Sequence, residues 1–512
     1  MKGNEVLMVS GSDAHGTPIT VRAEREGRSP QAVFEQFHAE FLESWRRLGI
    51  TFDLFTSTHT DNHRRVTHDL FLKLRENGYI YPATSPLLFC PVDQRFLPDR
   101  YVEGTCPHCG YAGARGDQCD NCSRPLNGLE LLNPRCKSCG ATPEVKESEH
   151  FFLKLSAFNE PLKGWVSPQS HWRKPVINWT LGLLNEGLED RAITRDIDWG
   201  VPIPLKQAQG KVLYGWFDNH LCYITTALKQ ARKSGAAGAK YWNSSTIYHF
   251  IGKDIVYHHY LFLPGMRIAE GGYKLPDYIP TRGYLLIQGK KISKSRNWLI
   301  NVKDFASWYP ADYLRFYLTR ITPYAQTDLN FDWDEFRDKI NNELVANIGN
   351  FVYRALVFVK NKHEGVIPRP GAPGRAERTM VSVAKKTAGD VGSLIEQGYS
   401  DRALRATLEF CSKCNKYFQQ RAPWEKNAAE PTTVYYSCNL VTSLALLLRP
   451  FLPSTSEGIW RQVGLKRAIP KYSWSDIGRL NVRAGQNILE PKPLFRKIED
   501  VEIQKRKESL PA

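Results

Sequence analysis

Gly289-Lys290-Lys291-Ile292-Ser293-Lys294-Ser295-Arg296 follows the apolar run Tyr284-Leu285-Leu286-Ile287 and reads as a strand leading into a basic loop. Ligands of open α/β sheets gather at the carboxyl ends of strands, so cations and hydroxyls crowded at such an end make an anion site. A polyphosphate is its natural guest. Most Lys/Ser-rich loops are only solvated turns, however, and this one needs support from elsewhere in the chain. Two other strand ends supply it. Val6-Leu7-Met8-Val9 runs into Gly11-Ser12-Asp13-Ala14-His15-Gly16, and Ser245 to Ile251 runs into Gly252-Lys253-Asp254. Glycine at a strand end lets backbone approach a ligand closely, and three such ends in one parallel sheet would converge on one crevice. The expectation is an α/β fold with a nucleotide site. A near-continuous apolar strand at residue 6 belongs inside a parallel sheet and should have a neighbour on each side.

At 512 residues the chain is too long for one core, and two to four domains are expected. Lys plus Arg at 69 against Asp plus Glu at 53 leaves a net charge of +16, which favours a polyanionic partner such as nucleic acid. No apolar run reaches the length of a membrane span; the nearest, Leu444 to Leu452, contains Arg449 and Pro450. Residues 1 to 20 lack the basic start and apolar core of a signal peptide, so a cytoplasmic location with no membrane partner is expected.

Seven of the eleven cysteines fall between Cys90 and Cys139, a clustering that favours metal over disulfides. Cys106-Pro107-His108-Cys109 and Cys119-Asp120-Asn121-Cys122 are two knuckles whose thiolates can close one tetrahedral zinc site, with Pro and Gly supplying the tight turns. Cys136-Lys137-Ser138-Cys139 is a third knuckle without a fourth. It either recruits something like Cys90 or Asp93 or stays empty. Cys411-Ser412-Lys413-Cys414 has the same spacing inside a helical pattern and reads as helix core.

Residues 31 to 48 space Phe34, Phe37, Phe41, Trp45 and Leu48 as a crossover helix packed on the sheet. After Pro310 the pattern turns helical. Leu344, Ile348, Phe351, Val352, Ala355, Leu356 and Val359 form one apolar face, and Asn350 and Arg354 lie one turn apart on the opposite stripe, where they can present donors and acceptors to a base or a phosphate. A Pro/Gly-rich loop covers residues 362 to 375. Helical patterns resume at Val381 and over Ala403 to Phe418, the second ending at Ala422-Pro423-Trp424; an apolar helix follows over Thr433 to Leu448, and a charged tail closes the chain over Arg496 to Ser509.

Together these stretches resemble the methionyl-tRNA synthetases, which are class I aminoacyl-tRNA synthetases, over nearly the whole chain. Lys291-Ile292-Ser293-Lys294-Ser295 is similar to the class I Lys-Met-Ser-Lys-Ser signature with Ile for Met. Gly11 to Ile19, the knuckles, His249-Phe250-Ile251-Gly252-Lys253-Asp254 and Ala422-Pro423-Trp424 point to the methionine enzyme within that class. The resemblance implies a Rossmann-like catalytic domain in two parts, 1–79 and 195–330, with a zinc-knuckle connective insertion at 80–194. An α-helical anticodon-binding bundle would follow at 331–465, and a C-terminal extension at 466–512. It implies a two-step reaction in which ATP, as its Mg complex, and methionine give methionyl-adenylate, and methionine then passes to tRNA(Met).

By position in the family motifs, Lys291 and Lys294 would serve the pyrophosphate end and Asp254 the adenosine ribose. Lys253 and Arg195 would help with phosphates or the substrate carboxylate. Asp13 would pair with the α-amino group, and Trp216, Tyr223 and His259 would line the side-chain pocket. Asn350, Arg354 and Trp424 would read the anticodon. Cys106, Cys109, Cys119 and Cys122 would hold one structural zinc, with a second open, and a monomer is favoured.

Two departures from the family pattern stand out. Asn219-His220-Leu221-Cys222 occupies the place of Ala-Pro-Ile-Gly in the pocket. The first strand and the His-x-Gly-His signature, which precede the Lys-Gly-Asn-Glu segment in the family, have no counterpart, and His59 and His63 do not reproduce them. Each such phosphate donor is worth roughly 10²- to 10³-fold in rate. A start assigned or cut too late, weak activity of the chain as it stands and a sheet edge or gap are therefore expected. The competing readings are a non-catalytic tRNA-binding fragment or paralogue, and a class I synthetase for another amino acid.

Overall fold

The computed structural model describes residues 3–122, 124–208, 210–233, 238–293, 297–425 and 428–511. By internal packing the chain divides into two compact units. Leu7–Glu43 and Thr51–Thr281 form one; Met1–Val6, Ser44–Ile50 and Arg282–Ala512 form the other.

In the first unit, β1 (Val9–Ser12) pairs in parallel with β2 (Leu54–Ser57), from Val9 opposite Leu54 to Ser12 opposite Ser57. Parallel neighbours need a crossover, here the helices Thr17–Glu26 and Pro30–Arg47. Strand alternation sends Leu7 and Val9 into an apolar cluster with Ile224, Leu228, Trp242 and Ile247, while Met8 faces the other way and is 48% exposed. Gly11 has no room for a side chain: a Cβ there would lie 2.6 Å from Cys222 Sγ and 3.0 Å from the Thr56 carbonyl oxygen.

The three glycine-ended strands do not share one sheet. β1 has β2 as its one neighbour among the described strands, Ile251–Gly252 lies in a second two-stranded sheet, and Leu285–Ile287 lies in a third sheet, within the other unit. Strands join a sheet only through hydrogen-bonded neighbours about 4.8 Å away, and no described strand pairs with both β1 and Ile251–Gly252. Phe250, just before that second strand end, is correspondingly 75% exposed. The crossover helix is also less buried than its spacing predicts. Val33 and Phe34 are buried, but Phe41 is 41% exposed, and the Arg22 guanidinium lies over the Phe37 ring at 4.5 Å.

The connective insertion is built on a long antiparallel pair, Ile80–Cys90 with Glu144–Leu153. Between these strands the chain forms a small sheet of Val102–Thr105 with Ala114–Arg115 and Leu132–Cys136, which carries the knuckles.

In the second unit the expected basic loop is in part a hairpin. Leu285–Ile287 runs parallel to Leu329–Phe331 and antiparallel to Lys290–Lys291. The connection is two residues, Gln288 and Gly289, both at positive φ (48° and 74°), the turn geometry that suits the twist of adjoining strands. Ile287 is buried in the same apolar core as the helices that follow. The chain over Ile340–Gly349 is wound as a π-helix and continues as Asn350–Lys362; all seven residues of the predicted apolar face are buried. Helices Arg375–Glu396 and Ser400–Arg421 pack against Glu430–Leu448, which is buried on every side from Thr432 to Leu448, as an all-round apolar helix must be. Cys411 and Cys414 are core, as their helical context predicted. The charged tail docks: Asp500–Glu508 is helical, buries Ile503 and ties Asp500 to Arg337 at 2.7 Å. Among the described residues no helix is long and apolar enough to cross a membrane.

Gly11→Ala should lower stability by about 1–3 kcal/mol through overpacking. Adding Cys222→Ala should return most of that loss, leaving the part due to the Thr56 carbonyl. Equilibrium denaturation of the single and double variants measures both.

Candidate functional site

The end of β1 is organised around a carboxylate with no access to water. Asp218 is fully buried on the short helix Gly215–Asn219, and its Oδ2 lies 2.6 Å from His15 Nδ1 and 3.6 Å from His63 Nε2. Burial opposes ionisation of Asp218, but the two imidazoles hold its pKa below the ordinary carboxylate value. Burial likewise opposes charging of His15, and Asp218 overrides it and raises the His15 pKa. His15 Nε2 then meets His59 Nδ1 at 3.3 Å, and His59 stacks on Trp199 at 4.7 Å. His59 lines an open cavity of about 280 Å³ with Thr58, Thr60 and Arg64. Sequence reasoning missed this chain of groups. Its signal was present, in the acid of Trp216-Phe217-Asp218 and the base of Asp13-Ala14-His15.

Asp13 sits at the same strand end. Its Oδ1 accepts the His15 N–H at 3.1 Å and its Oδ2 accepts Asn219 Nδ2 at 2.5 Å. Asp13 is an exposed residue, yet the crowding of its carboxyl by neighbouring atoms, with Asp218 close by, pushes its pKa up to about 7. Asn219, one of the residues that depart from the family pattern, thus engages the carboxylate expected to take an α-amino group.

Of the residues expected to line the side-chain pocket, Tyr223 and His259 are in direct contact, and the Trp216 ring contacts are with Tyr214, Tyr257 and His258. Trp216 and Tyr223 pack against one apolar cluster, and the Tyr223 hydroxyl lies 3.0 Å from His259 Nε2. His259 Nδ1 lies 3.0 Å from the Ile255 carbonyl oxygen. Burial pushes the His259 pKa down to about 4, so the ring is neutral; since a carbonyl only accepts, Nδ1 carries the proton and Nε2 accepts from Tyr223. His258 stands edge-on to Trp216 at 4.1 Å.

Lys253 and Asp254 form the turn Lys253–Ile255 directly after Ile251–Gly252, at the expected strand end. Arg195, expected to help with phosphates or the substrate carboxylate, is paired within the protein. Its Nε and Nη2 donate to Asp99 at 2.9–3.1 Å, its Nη1 donates to the carbonyls of Ala192 and Thr194, and its plane lies over Tyr214 at 3.7 Å. Four of the five guanidinium N–H groups go to protein partners, for a reason the sequence hid: Asp99 comes from the insertion, 96 residues away.

In the second unit Lys291 is exposed on the hairpin strand, and Ser293 pairs with Trp298 across the loop mouth. Lys294, Ser295 and Arg296 lie outside the described residues. Farther along, Arg354 donates to Gln419 at 2.9 Å and its Cζ is 5.5 Å from both the Phe418 and Trp424 rings; Asn350 donates to Asn415 at 3.3 Å. Trp424 is about half exposed, so guanidinium, indole and amide share one accessible face.

The cysteines form two metal-competent clusters. Cys106, Cys109, Cys119 and Cys122 bring their sulfurs together, all within 4.8 Å of one another. Hydrogen bonds from the Tyr111 N–H and the Asn121 amide hold the Cys109 pKa at about 6, which favours the thiolate that binds metal. The third knuckle is completed: Cys136 and Cys139 meet Cys90 and Asp93 in an equally tight set, with Cys136 Sγ 3.0 Å from Asp93 Oδ2.

A catalytic unit built on parallel strand ends, a metal-knuckle insertion and a helical bundle with an accessible arginine–tryptophan face define a class I aminoacyl-tRNA synthetase fold. The sequence model described as "tRNA synthetases class I (M)" matches residues 1–356, and that described as "Anticodon binding domain of methionyl tRNA ligase" matches residues 367–510. A methionine–tRNA ligase of Dehalococcoides mccartyi (strain ATCC BAA-2266 / KCTC 15142 / 195) is 43% identical over 98% of this chain and 92% of its own length. That of Thermomicrobium roseum is 39% identical over 100% of this chain and 93% of its own length. The methionyl-tRNA synthetase of Mycobacterium tuberculosis, solved with methionyl-adenylate bound, shares the fold with a TM-score of 0.79 at 23% identity, covering 96% of this chain and 92% of that one. The chain belongs to the methionyl-tRNA synthetase family.

Metal analysis of the purified protein should find two ions per chain, and Asp93→Ala or Cys136→Ser should each remove one while leaving the four-cysteine cluster loaded. The Asp13 carboxyl, ionised above about pH 7 and neutral below it, should make the affinity for a cationic α-amino group fall about tenfold from pH 8 to pH 6. Calorimetry of methionine binding across that range should show the fall, and Asp13→Asn should flatten it.

Proposed function

We propose that this protein attaches methionine to tRNA(Met) in two steps, first forming methionyl-adenylate from methionine and ATP and then transferring the methionyl group to the terminal ribose. The observation that carries this reading is similarity at about 40% identity, over nearly the whole of both chains, to methionine–tRNA ligases. A carboxylate attacks phosphorus without a general base, so the chemistry asks for positioning and charge stabilisation.

In this reading Asp13 holds the α-ammonium group, while Trp216, Tyr223 and His259 receive the thioether side chain. Asp254 binds the adenosine ribose, and Lys253, Lys291 and Lys294 meet the phosphates of the Mg–ATP complex. Arg195 is held by Asp99, which fixes the insertion to the strand Thr194–Arg195, and its remaining Nη2 N–H is the donor it offers a substrate anion. Zinc is the metal that suits a set of four thiolates and a second set of three thiolates and one carboxylate, and in both its role is structural. Asn350, Arg354 and Trp424 read the single-stranded anticodon by edge contacts and stacking, and the +16 net charge draws the tRNA in. A cytoplasmic monomer fits this work.

The test pairs two assays on the same preparations. Methionine-dependent ATP–pyrophosphate exchange should be detectable with the wild-type chain, and its absence would favour a non-catalytic tRNA-binding role. Arg354→Ala and Trp424→Ala should leave exchange intact while raising the KM for tRNA(Met) by roughly 5- to 150-fold each, the range expected for losing one base stack.

A further inference from the structure

The buried chain from Asp218 through His15 ends on His59, at an open cavity of about 280 Å³ whose lining includes none of the groups assigned to methionine, ATP or the anticodon. What the cavity offers a ligand follows from the hydrogen bonds already made around it. Burial opposes charging of His15, but Asp218 outweighs it and favours the imidazolium, whose Nε2 proton goes to His59 Nδ1 at 3.3 Å. Burial and the His15 charge lower the His59 pKa, so that ring is neutral; with Nδ1 accepting, its own proton sits on Nε2. His59 is an exposed residue, yet its ring is held. It stacks on Trp199 at 4.7 Å, and the Trp199 indole donates to the Ala14 carbonyl oxygen at 2.6 Å.

Two hydroxyls add to this donor. Thr58, only 2% exposed, accepts the Ala14 N–H at 2.9 Å, and Thr60 accepts the His63 N–H at 3.2 Å; each oxygen is engaged as an acceptor and keeps its proton to give. Arg64 also lines the cavity. Its bond to Asp61 at 2.7 Å joins side chains that are 55% and 92% exposed, and an exposed pair of that kind is worth little and gives way to a better anion. Asp61 is the one carboxylate among the lining residues. An imidazole N–H, two hydroxyls and a guanidinium, backed by the His15 charge, thus border one space, and such a set suits a phosphate group. The cations continue outward: a further open cavity of about 470 Å³ shares Asp61 and Arg64 and adds Arg65 beside Asp69 on the helix Asp61–Glu76. A free anion needs one pocket, whereas a strand with a phosphate at every nucleotide needs a path.

We infer that this cavity is a phosphate site for the 3′ end of the tRNA, with His59 and Arg64 as its principal donors. The inference rests on the reading that Asp13 holds the α-amino group of methionine. His15 gives its backbone N–H to Asp13 Oδ1 at 3.1 Å, so the cavity that His15 lines adjoins the acid at the end of β1. A terminal ribose brought to the methionyl carbonyl has its own 5′ phosphate one sugar away. Holding that phosphate fixes the nucleotide without touching the reacting atoms, which makes His59 and Arg64 positioning residues for the transfer step.

Binding of tRNA(Met) that lacks its terminal nucleotide, prepared with and without a 3′ phosphate, checks the site on the metal-loaded full chain at fixed salt. The wild-type chain should bind the phosphate-bearing form about tenfold more tightly, and His59→Ala and Arg64→Ala should each cut that preference to about threefold or less. His59→Gln, which keeps an N–H, should hold it within about twofold of wild type. A preference unchanged in either alanine variant, or absent from the wild type, overturns the inference. Both side chains are exposed, so one variant carries the test if the other fails to fold. Inorganic phosphate is the second probe: if it binds the wild-type chain and not His59→Ala while the two tRNAs bind alike, the cavity serves a free anion and the tRNA role is overturned. Methionine-dependent exchange on the same preparations keeps the two readings apart. Exchange without a phosphate preference removes the role of the cavity alone, whereas a wild-type chain that binds neither tRNA removes the tRNA reading with it.

Discussion

A carboxylate taken wholly out of water must be given partners by the protein, and Asp218 is the group around which the catalytic unit is arranged. Its partners come from two directions: His15 from the turn after β1, and His63 from the helix Asp61–Glu76. The next residue, Asn219, reaches Asp13 on the same turn as His15. One short helix thus ties the end of a parallel strand to the helix Asp61–Glu76 and influences the charge of an acid at the same strand end. If Asp218 were neutral, His15 would lose the main influence that raises its pKa, and Asp13 would lose the neighbour that helps raise its own.

The second unit has a different logic. Ile287 on the hairpin and Phe418 on the helix Ser400–Arg421 belong to one continuous apolar core. The strand before Lys291 and the helix beside Arg354 and Trp424 are therefore parts of one packed body. Interiors at crystal-like density do not let one such element shift without its neighbours. Lys291 and the Arg354–Trp424 face, remote from one another in sequence, are fixed to the same interior.

Much of this was legible before any coordinates. The apolar face from Leu344 to Val359, the core role of Cys411 and Cys414 and the closure of the Cys106–Cys122 knuckles follow from periodicity and spacing, which are local properties. What escaped the sequence depends on residues far apart in the chain. Arg195 reads as a free cation until Asp99 of the insertion is found against it. The third knuckle reads as unfinished until the antiparallel pairing of Ile80–Cys90 with Glu144–Leu153 fixes the base of the insertion. The three glycine-ended strands look alike in sequence, yet whether they pair is decided by what lies between them. The basic stretch follows a strand, as its pattern implies, but Gln288-Gly289 alone does not tell an open loop from the positive-φ turn that folds Lys290 and Lys291 back on that strand.

The two metal clusters close loops of unequal size. Cys106 to Cys122 encloses 17 residues, whereas Cys90 to Cys139 encloses 50, both counted from the sequence. On chain entropy alone the longer closure costs about 1 kcal/mol more. The smaller site can therefore gather its ligands while the surrounding chain is still unfolded and act as a seed. The larger one joins the end of Ile80–Cys90 to the chain just before Glu144–Leu153 and acts as a clasp. One cluster thus lies within the insertion and the other at its neck, so loss of metal from the first loosens its interior and loss from the second loosens its hold on the long strand pair.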